Sequence, residues 1–214
     1  MKNTDFLKEI NSILAVEKNL QEDLLKQLKE KITLDIMQEE NKSRGGNYKT
    51  VSNACMQVLK RDKCRPILNK AIIRDNTLQL TDSYRAVIFK NSDYVSLPLH
   101  DEETTCKYPR LEPVFYRGNI EIKIDKNKFE TDYKLFKALP NKDKKEVKNF
   151  AYCICEEMKT YVDIEYLKNM LDIFSCEKDI IIYVSALSGN KPILFESENI
   201  KAVLLPLMYN GIEK

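Results

Sequence analysis

Only one histidine, His100, occurs in the 214-residue chain, and it stands in the acidic stretch His100-Asp101-Glu102-Glu103. A Ser-His-Asp relay needs an imidazole as its base, so it would have to be built on this residue. A single histidine in an acidic loop reads first as a surface residue. The six cysteines fall at 55, 64, 106, 153, 155 and 176. Cys153-Ile154-Cys155, joined by Cys106 and His100, is the arrangement closest to a metal site. Its single spacer residue differs from the two to four, or about that, of thiolate zinc sites. Five glycines leave no room for a glycine-rich phosphate loop. Acidic pairs such as Glu156-Glu157 read as helix surface. The expectation is a protein that is not an enzyme and uses no metal or other cofactor.

The residues that could do chemistry by binding are the basic ones. Lys60, Arg61, Lys63, Arg65, Lys70 and Arg74 crowd one short segment against a single acid, Asp62. Clustered Lys and Arg side chains suit contacts to backbone phosphate, which are strong in sum and indifferent to base sequence. The plain alternative is a solvated helix end. The formal net charge of +2 neither demands nor forbids a nucleic-acid partner, because local patches matter more than totals.

These residues have to be positioned by a mixed fold. Residues 4–42 carry Leu7, Ile10, Ile13, Leu14, Leu20, Leu24, Leu28 and Ile32 at spacings of mostly three and four, which predicts helix, with a break near Asn19. Gly45-Gly46 is the best boundary and divides the chain into a helical region, 1–44, and a domain, 45–214. Val51–Leu59 reads as a helix capped by Ser52. Asp75-Asn76 reads as a two-residue hairpin turn between Ala71–Arg74 and Thr77–Leu80, with Tyr84–Lys90 as the next strand. Tyr94–Leu99 reads as extended, Ile120–Ile124 as a strand, and Lys126–Leu139 and Lys142–Thr160 as helices separated at Pro140. Ile164–Phe174 is an amphipathic helix capped by Asp163. Strands follow at Asp179–Ala186, Pro192–Glu196 and Lys201–Leu207, the first pair turned at Ser188-Gly189-Asn190. The pattern is α+β, with one unit used twice: a short helix and then about three antiparallel strands, over 51–90 and 163–207.

Two blocks of this pattern resemble the bacterial DNA-polymerase sliding clamp, the polymerase III beta subunit. Arg65-Pro66-Ile67-Leu68-Asn69, followed by Thr81-Asp82-Ser83-Tyr84-Arg85, is similar to the clamp's "RPILNGV" and "TDGHRLA". Ser83 replaces the glycine and Tyr84 the histidine. Tyr166-Leu167-Lys168-Asn169-Met170-Leu171 is similar to "YLLDAL", Pro192-Ile193-Leu194 to the penultimate strand, and Val203-Leu204-Leu205-Pro206-Leu207-Met208 to the C-terminal "VVMPMR". Tyr108-Pro109-Arg110-Leu111-Glu112-Pro113-Val114 echoes the "YPDYERVLP" that joins two clamp domains.

The resemblance implies a clamp-type domain with a pseudo-two-fold repeat and an added N-terminal helical region. It is a reduced form that suits a phage or mobile-element protein. It implies a non-enzymatic scaffold or processivity factor of DNA replication, possible homo-oligomerisation, and non-specific contact with duplex DNA through Lys60, Arg61, Lys63, Arg65 and Lys168. It also implies a pocket for short peptides of polymerases or other replication proteins, walled by Thr81, Asp82, Tyr84, Arg85, Tyr166, Val203, Leu205, Pro206, Leu207 and Met208. The alternative is a clamp mimic that binds host replication or defence proteins without encircling DNA. A stretch of about 18 apolar residues is missing and the start has no basic-then-apolar leader, so no membrane partner and a cytoplasmic location are expected.

Overall fold

The computed structural model describes residues 18–60, 64–140, 151–187 and 190–207. It is a mixed α+β arrangement of five helices, α1 Lys18–Ser43, α2 Tyr48–Leu59, α3 Glu102–Lys107, α4 Lys126–Ala138 and α5 Ile164–Ile173, among the described residues. The strands are β1 Ile72–Arg74, β2 Thr77–Thr81, β3 Arg85–Phe89, β4 Ile120–Ile122, β5 Ala151–Cys155, β6 Thr160–Asp163, β7 Ile181–Val184, β8 Ile193–Glu196 and β9 Ile200–Leu204. Seven form one antiparallel sheet in the order β1-β2-β3-β9-β8-β7-β4, and β5-β6 form a separate hairpin.

Alternation along the strands decides what each face of the sheet carries. Val87 and Phe89 of β3 and Ala202 and Leu204 of β9 join the main core, against α2 and α5, which pack side by side. The alternate residues Tyr183, Leu194 and Val203 point the other way and meet Phe115. Ile72, Ala86, Tyr108 and Leu111 form a further small cluster. Phe89, Phe174 and Phe195 are fully buried, each side chain stabilising the fold by about 1.5–3 kcal/mol.

Turn chemistry fixes several connections. Asp75 and Asn76 adopt φ of 49° and 59°, the left-handed pair a tight hairpin requires. Gly45 and Gly46, at φ 74° and 55°, end α1. Gly118 lets the chain approach β7: a Cβ there would meet the Val184 carbonyl at 2.3 Å. Asp163 caps α5 by accepting the Glu165 and Tyr166 amides at 2.8 and 3.2 Å. Asp125 caps α4 in the same way, each cap being worth about 1 kcal/mol.

The break expected near Asn19 falls where the described residues begin, at Lys18, and α1 runs unbroken from there to Ser43. Two expectations need correction. Ser52 is not a cap, because α2 begins at Tyr48; its buried hydroxyl instead accepts from Asn41 at 3.1 Å. Residues 151–160 are not helical: Ala151–Cys155 pairs with Thr160–Asp163, and Lys159 turns the hairpin at φ 46°. The Tyr-Cys-Ile-Cys run prefers a pleated, half-buried setting, and Tyr152 sets its ring edge-on to Phe129 of α4, 5.2 Å away. Tyr94–Leu99, expected to be extended, meets the sheet's edge through a single bridge between Ala71 and Leu99.

Helix α1 joins the body at its C-terminal end. Asn41, buried, donates to Ser52 and to the Ser96 carbonyl (2.9 Å) and accepts the Ser96 amide (2.9 Å). Arg44 donates to the carbonyls of Asp93 and Tyr94. Of the apolar stripe, Leu28 is buried, Leu24 and Ile32 are half-buried, and Leu20 is exposed. No described helix is long and apolar enough to cross a membrane.

Candidate functional site

The three-residue turn Asp82-Ser83-Tyr84 joins β2 to β3, and Ser83 takes φ 76°. That geometry turns the Asp82 carboxylate back onto the chain, where Oδ1 accepts the amides of Tyr84 (2.9 Å) and Arg85 (2.8 Å). Its Oδ2 accepts from Arg85 Nε (3.0 Å) and Nη2 (2.6 Å). Both side chains are nearly inaccessible, at 0% and 3%. Arg85 occupies the helix-facing parity of β3, so its guanidinium extends under α5 and donates from Nη1 to Asn169 Oδ1 at 2.6 Å. Asn169 then donates to the Ala54 carbonyl (3.0 Å) and Gln57 Oε1 (3.1 Å) of α2. The Arg85 guanidinium also lies 4.4 Å from the Tyr166 ring centre.

This network joins the turn, both central helices and an aromatic ring. A buried charge pair without such hydrogen bonds would cost more than it returned; here both carboxylate oxygens and three guanidinium nitrogens have partners. Burial pushes the neighbouring Cys55 thiol far above its usual range, with Arg85 partly opposing the shift. That thiol is inert at neutral pH.

The residues expected to wall a peptide pocket divide into three groups. Thr81, Asp82 and Arg85 are buried and hydrogen-bonded to one another. Val203 is buried on the opposite sheet face, under Phe115, and does not meet the others. Tyr84, 53% exposed, and Tyr166 face each other with ring centres 6.0 Å apart. Leu205, 39% exposed, is beside them because its amide donates to the Tyr84 carbonyl at 2.9 Å. Pro206 and Leu207 are half-buried, and the Leu207 amide donates to the Tyr161 carbonyl at 2.8 Å. Met208 lies outside the described residues. Among the described residues, the exposed side chains at this end are therefore Tyr84 and Leu205, with the Tyr166 ring buried behind Tyr84.

The expected DNA-contact residues are also unequal. Lys60 caps the end of α2 and is exposed, as is Arg65. Arg61 and Lys63 lie outside the described residues. Lys168 lies on α5 and shares with Lys60 the wall of an open groove of about 720 Å³ between α2, α4 and α5. It is paired with Asp172 (2.5 Å) and Glu130 (3.5 Å). Burial opposes its charge, but Asp172 and then Glu130 outweigh this and hold its pKa above the usual value. Across the same groove Lys137 pairs with Glu165 at 2.7 Å.

Asn169 and Gln57, which complete the network, are not among the site residues expected from sequence. Asn169 carried a signal: it is a polar residue on the apolar stripe of α5, between Tyr166 and Met170. A polar side chain held inside an apolar stripe implies a buried partner. His100 bonds the Ile67 carbonyl through Nε2 at 2.9 Å and lies beside the Tyr108 ring. Among the described residues, no group of three His, Cys, Asp or Glu side chains is placed to hold a metal. Compared with known proteins, the chain matches no family model, no curated protein and no solved structure.

Proposed function

We propose that this chain is a clamp-type, non-enzymatic scaffold of DNA replication that associates with duplex DNA through the face presented by α2 and α5. The observation that carries the reading is the strand order. Each of α2 and α5 leads into three antiparallel strands, and the order β1-β2-β3-β9-β8-β7 reverses about the β3–β9 pair. That order is what a pseudo-two-fold clamp domain would have, with its two helices adjacent on one face. The sequence blocks resembling the sliding clamp supply the turn at Asp82–Arg85, the α5 segment and β9. Lys60 and Arg65 are exposed, while Lys168 is paired with Asp172 and Glu130.

A second reading, a clamp mimic that engages host replication or defence proteins without encircling DNA, is favoured by one feature. The helix-pair face is flanked by α4, whose Tyr133 and Lys137 line the groove over α5, and two of its cations, Lys137 and Lys168, are matched by Glu165 and Asp172. Retention on DNA separates the two. A DNA-encircling clamp stays on a closed circular plasmid through gel filtration and leaves the same plasmid once linearised. Equal loss from both forms would favour the mimic.

A further inference from the structure

A second groove, of about 620 Å³, opens between α1 and the body. Its existence follows from how α1 is attached. Asn41 and Arg44 fix the C-terminal turn to residues 93–96, and the helix then runs past α2. The groove's floor is apolar: Leu34 and Met37 from α1, Met56 from α2, and Pro98 and Leu99 from the segment beside Ala71. Leu99 remains 40% exposed and the two methionines are half-buried. The rim is basic, with Lys26, Lys29, Lys60 and Lys70 set against one acid, Glu30. Among the described residues none of these four lysines is in an ion pair.

We infer that this groove is a docking site for an acidic peptide segment carrying apolar anchors. Charge complementarity selects the occupant's sign: a lysine rim attracts carboxylates and repels a basic segment. The floor selects its class. Unbranched, polarisable methionine side chains adapt to apolar side chains of varied shape, and an apolar strip beside a helix suits a short linear or helical segment. A nucleic-acid backbone would find cations there but would leave the floor unused. The site is separate from the Tyr84–Tyr166–Leu205 surface, and it stands whether or not the chain encircles DNA.

The test uses the full chain and a fluorescein-labelled synthetic peptide in which Glu alternates with Leu and Phe. Its controls are the same peptide with Lys for Glu, the same with Ser for Leu and Phe, and a labelled duplex DNA. The acidic apolar peptide binds the wild-type protein, and both peptide controls lose at least about tenfold in affinity, a difference of about 1.4 kcal/mol. The exposed pair Lys26→Glu/Lys29→Glu loses at least as much. Met37→Gln, which keeps helix propensity, weakens binding without altering the circular dichroism spectrum. Three results overturn the inference: no binding, binding indifferent to these substitutions, or a peptide-independent dimer that Met37→Gln dissociates. A fourth is loss of duplex affinity in Lys26→Glu/Lys29→Glu with the peptide unaffected, which reassigns the groove to phosphate. The DNA reading is tested by retention on the closed circular plasmid and fails separately.

Discussion

Two turns occupy matching places in the sheet and differ in what they carry. Asp82-Ser83-Tyr84 links β2 to β3, and Ser197-Glu198-Asn199 links β8 to β9. Both are three residues long. Both close with an amide of the first turn residue on the carbonyl of the first strand residue, Asp82 to Arg85 at 3.1 Å and Ser197 to Ile200 at 2.9 Å. In both, the first turn residue's side chain accepts the amide of that strand residue, Asp82 from Arg85 and Ser197 from Ile200. There the likeness ends. Arg85 is a buried cation tied to Asp82 and Asn169, whereas Ile200 is fully buried hydrocarbon in the main core. A hydrocarbon at the Arg85 position would have served packing alone. The charged version puts a polar network beside the exposed Tyr84 and Leu205.

The largest effect should come from breaking the charged turn on one side only. Arg85→Met leaves the Asp82 carboxylate buried without its cation and should cost about 3–5 kcal/mol, a fall in Tm of about 10 °C. Asp82→Asn/Arg85→Met should recover part of that loss in a denaturant titration, because the lone charge is gone. At the matching position of the other turn, Ile200→Val should cost only about 0.5–1.5 kcal/mol.

The next effect is at the residue that carries the network across the helices. Asn169→Ala leaves the Ala54 carbonyl and one Arg85 donor without their partner and should cost about 1–3 kcal/mol in the same titration. Retention of full stability would show that Arg85 needs only Asp82.

The smallest effect belongs to the second turn's own polar contact. Glu177 accepts from the Tyr94 hydroxyl (2.5 Å) and from Asn199 (3.2 Å). Burial raises its pKa, but the hydrogen bonds from Tyr94, Ser197 and Asn199 prevail and hold it below the usual glutamate value. A depressed carboxylate contributes stability above its unfolded pKa and loses it as pH falls through the folded value. Glu177→Gln should therefore cost about 1 kcal/mol or less at neutral pH. The difference from wild type should vanish in acid, below the ordinary glutamate range. A difference that grew in acid would contradict the assignment.

How much of this was legible in the chain depended on the distance over which each feature is determined. The Asp75-Asn76 hairpin, the Asp163 cap and the amphipathic stripe of α5 are set by neighbours in sequence and were readable there. Residues 151–160 misled, because charged residues at helical spacing masked a hairpin that exists to pack Tyr152 and Val162 against α4 and the core. Ser52 misled because a serine before an apolar run has the chemistry of a cap, while its partner Asn41 is supplied by a separate helix. In the candidate site, Asp82 and Arg85 were singled out through their resemblance to a known motif. Their burial, and the link through Asn169 to α2, depend on packing between segments 84 residues apart. Val203 was placed with the pocket by motif alone, and strand parity sends it to the other face.

Lys60 and Lys168 line one groove and should differ in their effect on DNA binding if the chain is a clamp-type scaffold, and that difference is the most direct test. Duplex DNA of unrelated sequences is titrated with wild type, Lys60→Gln and Lys168→Gln over a range of salt. Wild type should bind all sequences alike, with log affinity falling linearly in log salt. Lys60→Gln should weaken binding and lower the slope by about one contact, and Lys168→Gln, whose charge is already matched by Asp172 and Glu130, should leave it nearly unchanged. Failure to bind duplex DNA even at low salt, or an equal loss in both variants, would contradict the account.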